Sequence, residues 1–138
     1  MIKHENIIDD KSAEDQVDIF LNFYDPDTDK PGFKEILPDL KRHIRRGRVE
    51  ITEAGADGDI NVKQILQRKT NDNEVRELNY KVIGGAAKEM MKTEFKSEFS
   101  KVYAVLGALS GGSKMGISRL TGIDLSVAET LGALFLLV

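Results

Sequence analysis

Residues 17–24 read VDIFLNFY, and the reading of this stretch decides how the first half of the chain is drawn. Val17, Ile19, Leu21 and Phe23 alternate with Asp18, Phe20, Asn22 and Tyr24. Such alternation is the pattern of a strand with one buried face. Phe20 and Tyr24 fall on the opposite side, so that side is expected to be partly covered as well.

Working outward, residues 25–32, DPDTDKPG, form a turn cluster of Asp, Pro and Gly. FKEIL, residues 33–37, is then expected to return as a second strand. PDLKRHIRRGR, residues 38–48, predicts one or two helical turns from Pro38, a residue tolerated at the first helical position. Leu40 and Ile44 would share one face of it. RVEITEAGADGDINVKQIL, residues 48–66, reads as a hairpin with Asp57-Gly58 at its turn. Before VDIFLNFY, residues 1–15 read as a flexible leader with little to bury.

Beyond residue 70 the period becomes helical. Val75, Leu78, Val82, Ile83, Ala86, Ala87 and Met90 predict one helix, with Asn71 and Glu74 at the spacing of a cap and its partner. Gly84-Gly85 is expected to break or kink it. Phe95, Phe99, Val102, Tyr103, Leu106 and Leu109 predict a second helix ending at Gly111-Gly112. A short helix follows over residues 115–120. A last one starts near DLSVAE, where Ser126 and Glu129 have capping-box spacing, and runs onward through the closing apolar residues. The expected fold is α+β: N-terminal antiparallel β-hairpins followed by a helical bundle of three to four helices. Residues 16–138 form one domain, with 16–69 as its β-rich part and 71–138 as its helical part.

The chain has 138 residues, enough for one domain with a real core. Its net charge of −3 argues against duplex-DNA binding by the whole surface, because phosphate neutralisation dominates such affinity. It has no cysteine, which removes disulfides, thiolate nucleophiles and cysteine zinc sites. The polar N-terminus does not read as a secretory signal. LGALFLLV, residues 131–138, is far short of the roughly 20 apolar residues of a membrane-spanning helix. A soluble, intracellular protein is expected.

Four features invite chemistry. Asp25, Asp27 and Asp29 stand where an EF-hand loop has its first three ligands, but Lys30 replaces the turn glycine and Glu35 comes one place early. GALSGGSK, residues 107–114, has the glycine spacing of a phosphate loop, but Ser113 precedes Lys114 and the preceding segment reads as helix. His4 and His43 lack partners at metal or nucleophile spacing. No catalytic residue, metal or cofactor is therefore expected, and no enzyme. The fourth is KRHIRRGR, residues 41–48, whose Lys41, Arg42, Arg45, Arg46 and Arg48 make a local basic patch.

The final apolar residues are either core or a docking surface. Leu131, Leu134, Phe135, Leu136 and Leu137 leave almost no polar face. With Met90, Met91 and Met115, whose side chains suit adaptable surfaces, they are the candidate partner-binding residues.

Two stretches resemble the tail assembly chaperones of tailed bacteriophages. In HIRRGRVEITE, residues 43–53, Arg45, Arg46, Gly47, Glu50, Ile51, Thr52 and Glu53 are similar to the start of the family's β region in its contractile-phage branch. In residues 104–137, Leu109-Ser110-Gly111, Leu120, Asp124 and Phe135-Leu136-Leu137 are similar to its closing helices. Together these cover about a third of the chain. The stretch at 54–69 is longer and more polar than its family counterpart, and Thr70 stands where proline is expected. The resemblance implies a non-enzymatic protein of the host cytoplasm that binds the helical tape-measure protein while tail tube subunits polymerise around it. Self-association, giving a homo-oligomer, fits the same apolar surface. Two other readings fit these residues: a structural or connector subunit of the tail, and a small nucleic-acid-binding regulator acting through residues 41–48.

Overall fold

The computed structural model of the chain describes residues 4–55, 58–68 and 76–138. Asp57, the Asn71/Glu74 cap, Val75 and the Lys69-Thr70 junction lie outside the described residues.

The chain opens with helices, not hairpins. The first helix, α1, spans Asp10–Tyr24 and contains all of VDIFLNFY. Asp9 caps it by accepting a hydrogen bond from the Ser12 N–H at 2.7 Å. Ala13, Val17 and Phe20 are its buried stripe, at helical spacing. Ile19, Leu21 and Phe23 are half-buried, so the segment is apolar on several sides and matches both periods. The cap and the stripe beginning at Ala13 decide for the helix. Residues 10–15 are thus helical and contribute to the core, in place of the expected leader.

The second helix, α2, spans Pro31–Arg45 and replaces the expected returning strand. Pro31 occupies its first turn, where no N–H is needed. Pro38, expected to start a helix, lies inside this one on the exposed side and removes one backbone hydrogen bond. Phe33, Leu40, His43 and Ile44 are buried from its inner face. Gly47, at φ 73°, turns the chain into the sheet.

The sheet has three antiparallel strands in the order β1 (Val49–Ala54), β2 (Asp59–Ile65) and β3 (Glu77–Tyr80). The first two form the expected hairpin, with Ile51 opposite Val62 and Glu53 opposite Ile60. Its buried face carries Val49, Ile51, Ile60, Val62, Gln64 and Tyr80. On the outer edge of β1, the Ile51 N–H donates to Gln16 Oε1 of α1 at 2.8 Å. A helix side chain thereby blunts an edge that would otherwise invite another strand.

Leu78, expected on a helix, lies in β3. Pairing with β2 satisfies that segment's backbone and buries Tyr80, which outweighs its helical spacing. The helical part follows as α3 (Gly85–Lys92), α4 (Glu98–Leu109), α5 (Lys114–Ser118) and α6 (Ile123–Leu137). Gly84-Gly85 marks the start of α3 and does not interrupt a longer helix. Ser97 and Ser113 cap α4 and α5 through their hydroxyls. The last helix begins earlier than expected: Gly122 is its cap, and Ser126 lies inside it.

Helix α6 occupies the centre, against α2 and α4. Gly132 sets its distance from α4, since a Cβ there would stand 2.4 Å from Val102 Cγ1. The Phe135 ring packs 6.2 Å from Phe20 and 5.7 Å from Tyr80, centroid to centroid. One side chain therefore joins the first helix, the third strand and the last helix. Among the described residues the architecture is a mixed α/β fold of six helices and one antiparallel sheet, with helices on both sides of the strands in sequence.

Candidate functional site

The basic run does not form a single patch. Lys41 Nζ lies 3.0 Å from Asp10 and 2.9 Å from Glu14, both on α1. Arg45 reaches Asp10 at 3.8 Å, and Arg42 pairs with Asp39 at 3.1 Å within α2. Arg46 makes no ion pair among the described residues. These surface pairs add little stability, but they occupy the cations that phosphates would need.

Arg48 points inward and is 2% exposed. Its guanidinium donates to Nδ1 of His43 at 3.0 Å and to Nδ1 of His4 at 2.7 Å. A guanidinium has no acceptor, so both ring nitrogens accept in this arrangement. His43, 2% exposed, is pushed down to about 4 by burial and then by the neighbouring positive charges of Arg48 and Arg42. Burial also lowers the Arg48 pKa, with Arg46 and Arg42 adding to the shift and Asp124 opposing it. The histidines thus serve as acceptors for a buried cation.

A second polar network ties the sheet to α6. Gln64 Nε2 donates to the Asp124 carbonyl at 2.8 Å, and the Tyr80 hydroxyl donates to Gln64 Oε1 at 2.8 Å. The Asp124 carboxylate accepts from the Gln67 N–H at 2.7 Å and the Arg68 N–H at 3.1 Å. Burial holds the Tyr80 hydroxyl well above the ordinary tyrosine range. Satisfied in this way, the network fixes the register of α6 on β2.

The terminal-helix candidates are mostly core. Leu131, Leu134 and Phe135 are buried, the last at 1% exposure, while Leu136 and Leu137 are half-buried against the same cluster. Leu131, Leu134 and Phe135 are therefore core residues in this fold. Among the methionines, Met90 and Met91 are half-buried on α3 and Met115 is 61% exposed on α5.

Met90 lines an apolar groove of about 220 Å3 between α3 and the end of α4. Its walls include Val82, Ala86, Ala87, Ala108 and Leu109, with Lys81 at one side. The volume is below that of a typical small-molecule site and suits one or two inserted side chains. A hydrogen bond from the Lys81 N–H to the Leu109 carbonyl at 2.8 Å holds the strand end against α4. From Lys81 and Val82 a trough of mixed lining, about 800 Å3, continues along Tyr80, Asn79, Asn61, Ile60 and Thr52. The expected helix held Val82, Ala86 and Met90, but Val82 precedes α3; the periodicity gave no sign of Ala108 opposite them, because that contact depends on how α3 folds back onto α4.

No helix of the described residues is long and apolar enough to cross a membrane. No protein-family model, curated protein or solved structure matches the chain.

Proposed function

We propose that this chain is a non-enzymatic tail assembly chaperone of a tailed bacteriophage, which binds the tape-measure protein in the host cytoplasm while tail tube subunits assemble. The support from sequence is the resemblance of residues 43–53 and 104–137 to that family. The observation that carries the reading in three dimensions is the groove of Val82, Ala86, Met90 and Ala108. A helical client presenting an apolar residue every third or fourth position inserts one side chain there, and its flank lies along the adjoining trough. The docking surface is thereby moved from the terminal helix to the α3–α4 groove.

The test is co-expression with a tape-measure protein encoded beside this chain. The client should co-purify with the chain and be insoluble without it. The double variant Ala86→Asp, Ala108→Asp places charge on two exposed groove positions and should lose the client while keeping its circular dichroism and melting temperature. A client equally soluble alone, or one bound equally well by the double variant, would sink the proposal.

A further inference from the structure

A second groove, of about 470 Å3, lies between α1 and the β1–β2 hairpin. It shares no lining residue with the α3–α4 groove. Its apolar lining is Ile19 and Phe23 of α1 and Ile60 of β2. Its acidic lining is Asp15 and Asp18 of α1 and Glu53 of β1. Asp18 and Ile19 follow Asp15 by three and four residues, so each meets it on one side of the helix.

The two sides of α1 differ in how their charge is answered. Asp10 and Glu14 meet Lys41 and Arg45 of α2. Asp15, Asp18 and Glu53 make no ion pair among the described residues. Nor do the described residues group three or more carboxylates or histidines closely enough to hold a metal ion. The carboxylates therefore surround an apolar depression without converging on a point. Low-dielectric walls with one sign of charge focus the field outward and draw in the opposite sign. Lys and Arg side chains suit this arrangement, because their stems lie on apolar surface while their heads reach carboxylates. An arginine can also stack on Phe23.

We propose that this groove docks a basic amphipathic helix of another protein. The apolar side chains of that helix sit on Ile19, Phe23 and Ile60, and its flanking Lys or Arg residues pair with Asp15, Asp18 and Glu53. The inference does not rest on the chaperone reading: the partner chemistry differs, and although Ile60 lines both this groove and the client's trough, Ile19, Phe23 and the three carboxylates line this groove and not that trough.

The probe is a synthetic helix-forming peptide of about 15 residues, with leucines along one face and lysines and arginines beside them. Binding to the full chain is followed by fluorescence anisotropy and by amide shifts. The shifts should map to Ile19, Phe23 and Ile60. The variant Asp15→Asn, Asp18→Asn, Glu53→Gln changes three side chains without changing their shape, and should weaken binding about tenfold and flatten its salt dependence. A peptide with serine in place of leucine should bind at least about tenfold more weakly, which separates docking from charge attraction alone. Equal binding by the triple variant, equal binding of the serine peptide, or shifts centred on Met90 would each overturn the proposal. The Ala86→Asp, Ala108→Asp variant should bind the peptide as the native chain does, so failure of the chaperone reading and failure of this one give different results.

Discussion

Arg48 donates to the Nδ1 atom of His43 at 3.0 Å, a buried cation held by a neutral ring. Protonating that ring removes the acceptor and sets two positive charges side by side. The His43 pKa is lowered to about 4 from its ordinary 6.5, by burial first and then by Arg48, Arg42 and Arg46, with Asp39 opposing. A depressed histidine pKa means that the folded state binds the proton less readily than the unfolded chain. The stabilisation is full above about pH 6.5 and falls as pH drops toward about 4. We expect urea unfolding to show a loss on the order of 3 kcal/mol across that window. His43→Gln should flatten this dependence. An unchanged native midpoint from pH 7 to pH 4 would contradict the assignment.

Phe135→Ala should cost about 3–5 kcal/mol, because the ring fills the junction of α1, β3 and α6. Phe135→Asp should prevent folding outright. Leu136→Asp, at a half-buried position, should be milder. Denaturant titration of the three proteins checks the order. A well-folded Phe135→Asp protein would place α6 on the surface after all.

Two glycines should respond with opposite sign to alanine. At Gly132 the new methyl meets buried Val102 at 2.4 Å, and overpacking should cost about 1–3 kcal/mol. At Gly85, in the first turn of α3, nothing lies within 4 Å, and the gain in helix propensity should stabilise by about 0.5 kcal/mol. Thermal melts of the two variants, compared with the native chain, separate them directly.

Gln16→Ala leaves the Ile51 N–H at the sheet edge without its acceptor. A loss of about 1 kcal/mol is expected, together with faster hydrogen exchange at that amide. Because the edge becomes available for strand pairing, the variant should also self-associate more as concentration rises. Sedimentation identical to that of the native chain would show that α1 shields the edge by bulk alone.

The parts of the fold legible in the sequence are those whose period was unambiguous. The β1–β2 hairpin alternates cleanly, and α4 repeats apolar residues over three turns before two glycines. The region 17–24 misled because its eight residues are apolar on both faces. Extending the window to Ala13 and the Asp9 cap selects the helix. The strand β3 has four residues, too few for any period, and exists because β2 offers it a ladder. The site was less legible still. Burial of Leu131 and Phe135 depends on α2 and α4 closing over α6. The basic run looked like a ligand surface because its acidic partners, Asp10 and Glu14, sit far away in sequence.

The ring of Phe135 has a further consequence for how the molecule is made. Its neighbours Phe20 and Tyr80 lie far before it in the chain, so the interior they share closes only when α6 docks. Contacts so distant in sequence slow folding, because loop closure must precede them. Docking of α6 therefore closes the widest loops of the fold, and one ring then covers aromatic side chains from both α1 and β3.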